Sequence, residues 1–248
     1  MKRHGSQWPA WLLIAWLAGW PVALSAEILR LDYTSGFTVW LDCSKRGAIK
    51  FQYNAQRDTG NFKRSSRFYL DPQVPARCQQ TSTGSYKRPP GDKPTYDRGH
   101  LVPANHLDHS AEAIRQTNTM TNILPQVASM NRGAWKHTEE IVECYRDIDE
   151  LLVIGGVLWG NDARNDYFVS SHGLATPDAF YKVIVRPGRV IAWIIPNSET
   201  AKYNVLDQYL VPVRRIEQLT GERIPVDDFL KDEVPSTSWQ IPVGCDRG

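Results

Sequence analysis

The segment 96–146 carries the stretches that decide the fold: YDRGHLVPANH at 96–106, NILPQ at 122–126 and NRGAWKHTEEIVECYR at 131–146. They combine an Asp-Arg-Gly-His quartet, two loops that contain asparagine, and an amphipathic helix that opens at Asn131. Packing alone does not require this combination. The segment is therefore the predicted functional region, and the remaining chain is expected to be the scaffold that holds it.

The sequence on either side of this segment has the pattern of an antiparallel sheet. Strands are predicted where apolar and polar residues alternate and β-branched and aromatic residues are frequent, at 28–33, 37–43, 48–54, 179–187 and 189–196. Gly36 and Gly47 are expected in the turns between the first three strands. An apolar run with two glycines at 150–159 predicts a central strand with close backbone approach, and the spacing at 213–219, before Gly221, predicts a helix. The expected fold is a single α+β domain with a central antiparallel sheet.

The first 26 residues have the pattern of a secretory signal peptide. Lys2 and Arg3 precede an apolar run at 8–24 and then a stretch of small residues. An anchoring helix is the alternative, but prolines and a glycine within or beside the run favour cleavage. The domain prediction is a signal peptide at 1–26 and one domain at 27–248, periplasmic or secreted.

The charges and the cysteines fit an exported protein that meets a polyanion. Residues 27–98 hold 13 Lys or Arg against 7 Asp or Glu, and residues 99–248 hold 14 against 20. This asymmetry predicts a basic surface in the first part, for which a polyanion is the natural partner; a solvated charged face is the alternative. An even number of cysteines predicts two disulfides in an oxidising compartment. Three pairings are possible among Cys43, Cys78, Cys144 and Cys245.

His100 is the candidate general base. Asp97, Arg98 and Gly99 precede it on a predicted extended segment, in which period-two alternation places Arg98 and His100 on the same face. This pair suits phosphodiester hydrolysis, because a neutral imidazole takes a proton from water while a guanidinium holds phosphate oxygens. Gly99 is expected to let substrate or a second backbone approach closely. An ordinary buried or surface histidine is the alternative.

Asn131 and Glu139 are the candidate metal-site residues. Asn131 would supply a neutral oxygen, which suits Mg²⁺ because this ion keeps several waters and needs few protein ligands. A helix N-cap is the ordinary alternative role for Asn131. Glu139 lies two helical turns further on, where a carboxylate could accept hydrogen bonds from metal-bound water. A solvated glutamate next to Glu140 is the alternative.

These motifs, in their order and spacing, resemble the DNA/RNA non-specific endonucleases of the ββα-metal type. The residues that carry the resemblance are DRGH at 97–100, LVPAN at 101–105, TNILPQ at 121–126 and NRGAWKHTE at 131–139. A weaker similarity lies in RRIEQLTGERIP at 214–225. The resemblance implies the ββα-metal catalytic motif and the family's fold over most of 27–248.

The resemblance also implies a role for each site residue. His100 is similar to the family's general base, Asn131 to its direct protein ligand for magnesium, and Glu139 to the acidic residue that orients metal-bound water. Arg98 resembles the phosphate-contacting arginine of the quartet, and Asn122 the asparagine that supports the site. The family uses a further, upstream arginine against the charge of the transition state. The preferred candidate for that role is Arg57, and the other candidates for substrate binding are Arg64 and Arg67.

One position departs from the family's pattern. Relatives often have an arginine one helical turn after Glu139, where this chain has Glu143. The change would weaken contact with the substrate or move the role to Arg146.

The implied reaction is one-metal hydrolysis of DNA and RNA, with His100 as the base and magnesium, or manganese as the alternative ion, bound at Asn131. Products with 5′ phosphates are implied. Indifference to base sequence is expected because contacts to phosphate read no base edges, and binding should weaken as salt rises. DNA and RNA are the expected partners. A homodimer and a protein inhibitor are both left open.

Two other functions are compatible with parts of the sequence. His100, His106 and His109 could bind zinc in another hydrolase, although their spacing matches no common zinc pattern. A non-catalytic polyanion-binding module on the same fold is the second alternative. The departure from the family's pattern at Glu143 leaves this alternative open. A magnesium-dependent digest that His100→Ala abolishes would fit only the nuclease.

Overall fold

The computed structural model describes residues 26–55 and 57–247. The strands are β1 Ile28–Tyr33, β2 Phe37–Asp42, β3 Gly47–Ala55, β4 Tyr96–His100, β5 Ile123–Val127, β6 Leu151–Leu158, β7 Ala179–Arg186 and β8 Arg189–Pro196. The α-helices are α1 Ala111–Thr117, α2 Ala128–Met130, α3 Lys136–Tyr145, α4 Val169–His172 and α5 Val213–Thr220. A wide, π-type turn at Asn131–Trp135 joins α2 to α3. Short 3-10 turns lie at Ala76–Cys78, Ala104–Leu107, Met120–Asn122, Ala163–Asn165, Tyr203–Tyr209 and Asp228–Leu230.

Six strands form one antiparallel sheet in the order β1-β2-β3-β6-β7-β8, with a core on each face. Phe51 and Phe180 pack with Trp135 on one face, and Tyr181 packs with Ile216 of α5 on the other. The sheet therefore separates the segment 96–146 from α5. The predicted α+β fold with a central antiparallel sheet is confirmed, as are the predicted strands and the helix before Gly221.

The two glycines of β6 allow close approach, as their positions in an apolar run predicted. A Cβ on Gly155 would lie 2.3 Å from Phe51 Cζ, and a Cβ on Gly156 would lie 2.2 Å from the Ile49 carbonyl oxygen. Side chains at these positions would collide with neighbouring strands of the sheet.

The turn before β3 differs from the prediction. Gly36 has φ +99° in the turn between β1 and β2, as expected, but the positive φ before β3 belongs to Arg46, at 53°. Gly47 is instead the first residue of β3. Its lack of a side chain makes room for Leu174 and Trp159, each 2.8 Å from where a Cβ would stand.

The second asparagine-containing loop is in fact a strand. β5, which includes most of NILPQ, pairs antiparallel with β4, and Pro125 lies opposite Arg98. The loop prediction was wrong because a proline in a short segment reads as a turn, yet an edge strand tolerates a residue without an N–H. β4 and β5 form a separate two-stranded sheet.

The helix after β5 begins earlier than predicted. Helical conformation starts at Ala128, and Asn131, with φ −57° and ψ −47°, lies inside the helical segment and is not an N-cap. Gly133, with φ −111° and ψ −109°, widens the next turn. A Cβ at Gly133 would lie 2.9 Å from the Ala201 carbonyl oxygen, so only glycine fits where this turn meets the loop.

Two disulfides close the fold. Cys43 pairs with Cys78, and Cys144 on α3 pairs with Cys245, which decides between the three pairings that the sequence allowed. Within the described residues no helix is long and apolar enough to cross a membrane. The predicted signal peptide at 1–26 lies outside those residues apart from Ala26.

Candidate active site

A cleft of about 610 Å³ lies where β4 meets the helical segment 128–145. His100, Asn131 and Glu139 all line it, so one surface brings together the three residues proposed for the chemistry. The other charged residues of the lining are the cations Lys63, Arg64, Arg98, Arg132, Lys136, Arg146 and Arg247 and the acids Asp58, Asp108, Glu140, Glu143 and Asp246. The cleft is therefore highly charged and of mixed sign.

His100, at the end of β4, is held at both ring nitrogens. Nε2 lies 2.9 Å from Asn118 Oδ1, and Nδ1 lies 3.3 Å from Arg64 Nη2. The Asn118 amide nitrogen donates to the carbonyls of Ser65 and Arg67, at 2.9 and 3.0 Å, which fixes its oxygen toward the ring. An amide oxygen only accepts and a guanidinium only donates, so this arrangement places the proton on Nε2. Nδ1 is then the unprotonated ring atom, and its lone pair accepts from Arg64.

The surroundings of His100 keep its imidazole neutral. Burial lowers the pKa of His100 to about 3, with a further lowering from the Arg64 and Arg98 cations and an opposing effect of the hydrogen bond to Asn118. A neutral ring at ordinary pH is the form that can accept a proton. The site thus holds His100 in the state that a general base needs.

Asp97 fixes the orientation of the Asn131 side chain. Asn131 Nδ2 donates to Asp97 Oδ2 at 2.9 Å, and Arg132 Nε and Nη2 donate to the same carboxylate at 2.8 and 2.6 Å. A carboxylate only accepts, so the amide nitrogen faces Asp97 and the amide oxygen is turned away. Within residues 26–55 and 57–247, no hydrogen-bond donor contacts that oxygen. A neutral oxygen with free lone pairs, in a cleft that is also lined by a carboxylate, fits a hard cation such as Mg²⁺.

Glu139 contributes that carboxylate from the first turns of α3. Its side chain is half-buried and lines the cleft. Burial raises the pKa of Glu139, whereas the cations of Lys182 and Arg64 lower it. Its ionisation therefore depends on the balance between burial and these two charges.

Arg98 lies in the same cleft as His100, as the strand alternation predicted. Its Nη1 donates to the Thr83 carbonyl at 2.9 Å, and its Cζ lies 3.8 Å above the ring of Phe68. The Phe68 ring centroid is 5.7 Å from that of His100. An aromatic ring thus keeps the guanidinium beside the imidazole.

Gly99 allows the close approach of a neighbouring strand. A Cβ at Gly99 would lie 2.2 Å from Gln126 Cδ, on the neighbouring strand β5. The glycine makes room for a buried side chain of the scaffold and not for the substrate. Of the two expected neighbours, substrate or a second backbone, the structure shows the second, because Gly99 pairs with Leu124 of β5 and the Gln126 side chain of that strand lies against it.

Among the three upstream arginines, the structure brings only Arg64 to the cleft. Arg57 donates to the Asp147 carbonyl at 3.3 Å and lines neighbouring cavities instead. The exposed Arg67 guanidinium lies 5.2 Å from the Tyr69 ring centroid and lines none of these cavities. Proximity to His100 therefore favours Arg64 over the preferred candidate, Arg57.

Asn122 supports the backbone beyond His100 and does not reach the cleft. It is fully buried, its Nδ2 donates to the carbonyls of Val102 and Thr117 at 2.9 and 2.8 Å, and its Oδ1 accepts from the Val102 N–H at 2.9 Å. Its hydrogen-bonding atoms are thereby used inside the fold. The residue that contacts His100 directly is Asn118.

Sequence reasoning missed two residues that position the site. Asn118 directly follows α1 and resembles an ordinary helix end, and Asp97 was seen only as part of the quartet. Asn118 has no local signal, because its partners at 65, 67 and 100 are distant in the chain. Strand alternation gave no signal for Asp97 either, because it puts Asp97 on the face opposite His100.

Glu143 forms a buried ion pair with Arg146, which also contacts Asp58 at 3.2 Å. The side chains of Glu143 and Arg146 are each 3% exposed, and Arg146 therefore has both carboxylates as partners before any phosphate arrives. The hypothesis that Arg146 takes over substrate contact loses its support.

The zinc alternative is not compatible with the geometry. His106 Nδ1 lies 2.7 Å from the Tyr53 hydroxyl, and its Nε2 lies 3.2 Å from Glu143 Oε2. Within the described part of the chain, His100, His106 and His109 do not form a group with metal-ligand spacing.

The chain belongs to the DNA/RNA non-specific endonuclease family, whose model matches residues 24–232. It is 25% identical to bovine (Bos taurus) mitochondrial endonuclease G over 78% of this chain and 68% of that protein. It is 30% identical to mitochondrial nuclease 1 of Schizosaccharomyces pombe over 70% of this chain and 57% of that protein, and 27% identical to mouse (Mus musculus) mitochondrial nuclease EXOG over 51% and 39%. The chain thus spans less than two thirds of the yeast and mouse relatives.

A solved structure supports the fold. The crystal structure of the EndoG/EndoGI complex, which addresses the mechanism of EndoG inhibition, contains a chain that matches with a TM-score of 0.62 and 20% identity. The match covers 79% of this chain and 84% of that chain. At this identity the similarity concerns the architecture alone.

Proposed function

We propose that this protein hydrolyses phosphodiester bonds of DNA and RNA without sequence preference, with a divalent cation and with His100 as the general base. The observation that carries the proposal is that His100 offers a neutral, oriented Nδ1 in the same cleft as the amide oxygen of Asn131. Membership of a nuclease family supports the reaction class.

In this proposal each residue acts on a different part of the reaction. His100 Nδ1 takes a proton from water as the water oxygen attacks phosphorus. The bond from phosphorus to the 3′ oxygen breaks, and the departing 3′ oxygen takes a proton from solvent, which gives a 5′ phosphate and a 3′ hydroxyl. Arg64 and Arg98 neutralise the non-bridging oxygens, on which negative charge builds up. Arg64 leaves Nδ1 as the phosphate enters, because a guanidinium binds a phosphate far more strongly than an imidazole lone pair.

The cation would be held by the Asn131 amide oxygen, with Glu139 as the nearby carboxylate that accepts hydrogen bonds from water. When bound, the ion would stabilise charge on the phosphate and on the departing oxygen. Magnesium suits a site with so few protein oxygens, and manganese has similar ligand preferences.

A plasmid-nicking assay tests the proposal. Purified protein is incubated with supercoiled DNA, single-stranded DNA or RNA, with Mg²⁺, with Mn²⁺ or with a chelator, and 5′ phosphates on the products are detected by ligation. We expect cleavage of all substrates that needs the ion and is lost in His100→Ala and Asn131→Ala. Binding of nucleic acid without cleavage would instead indicate the non-catalytic module, and metal-independent cleavage would refute the role of Asn131.

We further propose that the protein is exported after cleavage of a signal peptide at 1–26. The basic start, the apolar run and the two disulfides support an oxidising compartment. Mass spectrometry of the protein recovered from its native cells gives the mature N-terminus; an uncleaved chain would contradict export by this route. The sequence left both a homodimer and a complex with an inhibitor protein open, and the mass of the native assembly distinguishes them from a monomer.

A further inference from the structure

The segment 238–247, all of which the structure describes, contains no helix or strand and runs beside the active-site cleft. It lies beyond residue 232, where the match to the family model ends. Asp246 and Arg247 nevertheless line the same cleft as His100. A part of the chain outside the matched region thus contributes charged side chains to the active-site cleft.

Contacts with two parts of the fold hold the beginning of this segment in place. Trp193 Nε1, on β8, donates to Ser238 Oγ at 3.1 Å, and the Ser238 N–H donates to Asp207 Oδ1 at 2.8 Å. The Tyr145 hydroxyl, at the end of α3, donates to the Gln240 carbonyl at 3.0 Å. The segment is therefore fixed first to the sheet and then to the end of α3.

The Cys144–Cys245 disulfide joins the later part of the segment to α3. Cys144 lies in the last turn of α3, and Cys245 precedes Arg247 by two positions. Two residues of extended chain span at most about 7 Å, so the disulfide limits how far Arg247 can move from α3. This covalent link keeps Arg247 at the α3 side of the cleft.

The Arg247 guanidinium is held loosely and is largely exposed. Its Nη1 lies 3.6 Å from Glu140 Oε2, which is longer than a hydrogen bond, and 56% of the Arg247 side chain is exposed. Glu140 has two nearer partners, because the Tyr203 hydroxyl donates to Oε2 at 2.5 Å and Lys136 Nζ lies 3.4 Å from Oε1. The Glu140 carboxylate therefore stays paired when Arg247 moves to another partner.

Other arginines of the cleft have closer partners or lie on its opposite side. Arg132 donates to a carboxylate at 2.8 and 2.6 Å, and the side chain of Arg146 is only 3% exposed. Arg64 contacts His100, at the end of β4. Arg247 thus places an exposed guanidinium on the α3 side, across the cleft from the arginine beside the imidazole.

We propose that the segment 238–247 is a substrate-binding part of the active site, in which Arg247 contacts a backbone phosphate beside the one that is cleaved and the Cys144–Cys245 disulfide holds Arg247 in position. A guanidinium binds phosphate oxygens through two parallel hydrogen bonds, so a phosphate offers Arg247 a closer partner than Glu140 does. The inference rests on the proposed function for the nature of the substrate. Binding can nevertheless be measured without cleavage, in metal-free protein.

Arg247→Gln tests the contact, because glutamine keeps a polar side chain and removes the charge. Binding of a fluorescein-labelled DNA duplex is followed by fluorescence anisotropy with a chelator, at salt concentrations from about 50 to 200 mM. Loss of one phosphate contact should reduce the slope of log Kd against log salt by ~0.9 and raise Kd ~3–10-fold at about 0.1 M salt. Arg164→Gln is the matched control, since it removes the same charge from an exposed side chain that pairs with Asp162 outside the cleft.

A reduced slope in Arg247→Gln together with a wild-type slope in Arg164→Gln supports the proposal. Wild-type slope and Kd in Arg247→Gln overturn it, and so does the same change in both variants, which would reflect net charge and not a contact. In cleavage assays Arg247→Gln should raise KM by the same factor as Kd, with kcat nearly unchanged. A loss confined to kcat would overturn the role in binding.

The same measurements distinguish this inference from the proposed function. If the protein binds DNA with the expected difference in slope but does not cleave it, the proposed function fails and the Arg247 contact stands. If it cleaves DNA and Arg247→Gln behaves as the wild type, the inference alone fails.

Replacing Cys144 and Cys245 by serine tests the role of the disulfide. Without that bond Arg247 is no longer confined to α3, so the variant should show the reduced slope of Arg247→Gln, and adding Arg247→Gln should reduce the slope no further. The matched control replaces Cys43 and Cys78, which form the other disulfide and do not line the cleft. With folding confirmed by circular dichroism, a wild-type slope after loss of Cys144–Cys245 overturns the role of the disulfide. Arg247→Gln keeps both disulfides and decides the contact by itself if the serine variant does not fold.

Discussion

The clearest test of the site is to replace Asn118 by leucine, which has nearly the same size and cannot hydrogen-bond. In the native protein Asn118 accepts from His100 Nε2 and donates to the carbonyls of Ser65 and Arg67. Its loss frees the imidazole to rotate and to carry its proton on either nitrogen. Once Arg64 has moved to the phosphate in the substrate complex, the imidazole can then present Nδ1–H, which cannot act as a base.

The matched control is Asn122→Leu. Both asparagines are fully buried, and the side chain of each makes three hydrogen bonds within the fold. The side-chain hydrogen bonds of Asn122 go to backbone atoms of Val102 and Thr117 and not to His100. At a net ~1 kcal/mol for each lost hydrogen bond, both variants should lose ~3 kcal/mol of unfolding free energy. For a domain of this size that corresponds to a fall of ~6–12 °C in Tm.

The two variants should differ in catalysis. A positioned general base typically contributes ~10²–10⁴-fold to the rate, so misorientation of His100 in Asn118→Leu should lower kcat by up to ~10²-fold, with little change in KM. Asn122→Leu should lose much less. Steady-state cleavage of plasmid DNA at a temperature well below both Tm values, with folding checked by circular dichroism, gives the comparison. Equal losses of kcat in the two variants, at equal losses of stability, would refute the assignment of Asn118 as the residue that orients His100.

Other consequences of the structure can be checked in the same way. Arg64→Ala should reduce the cleavage rate by ~10²-fold or more, because the Arg64 guanidinium lies at His100. Arg57→Ala should change the rate less than ~3-fold, because Arg57 donates to the Asp147 carbonyl instead. A larger loss in Arg57→Ala than in Arg64→Ala, measured by plasmid nicking, would contradict the assignment of Arg64 to the active site. The folded pKa of His100 is about 3, against about 6.5 when unfolded, so acidification protonates the unfolded chain first and stability falls as pH drops from about 6.5 toward 3. Between pH 7 and pH 5 the wild type should lose about 2 kcal/mol more than His100→Gln in urea unfolding; parallel curves would exclude a neutral buried ring. Replacing Cys144 and Cys245 by serine should lower the free energy of unfolding by ~3–5 kcal/mol in the same assay, because the disulfide joins residues 101 apart and so restricts the unfolded chain. An unchanged urea midpoint would show that this disulfide does not stabilise the protein.

Several features of the fold were accessible from local pattern. Alternation predicted the strands of the large sheet, and the apolar run with two glycines predicted β6 inside it. The helix before Gly221 was equally clear. These elements were predictable because the regular spacing of their apolar residues, over a short stretch of sequence, indicates which side chains are buried.

The features that the pattern misread depend on neighbours distant in the chain. β5 was taken for a loop because its partner β4 lies more than twenty residues away and its proline suggested a turn. The helix already begins at Ala128, which puts Asn131 in its interior, and Gly133 is needed where the next turn meets the loop at Ala201. Gly99 was expected to let substrate or a second backbone approach, and the space beside it is filled by the Gln126 side chain of the neighbouring strand.

The sequence by itself determined which chemical groups the protein has for its reaction: an imidazole at 100, an amide at 131 and a carboxylate at 139, in an order and spacing that point to phosphodiester cleavage. Only the tertiary structure decided how each group is held. It places Asn118 against His100 Nε2 and Asp97 against Asn131 Nδ2, and among the three candidate arginines it brings Arg64 to the cleft. The sequence gives the identity of each residue directly. The protonation state and orientation of a side chain depend on contacts between segments that are far apart in the sequence, and local spacing carries no information about those contacts.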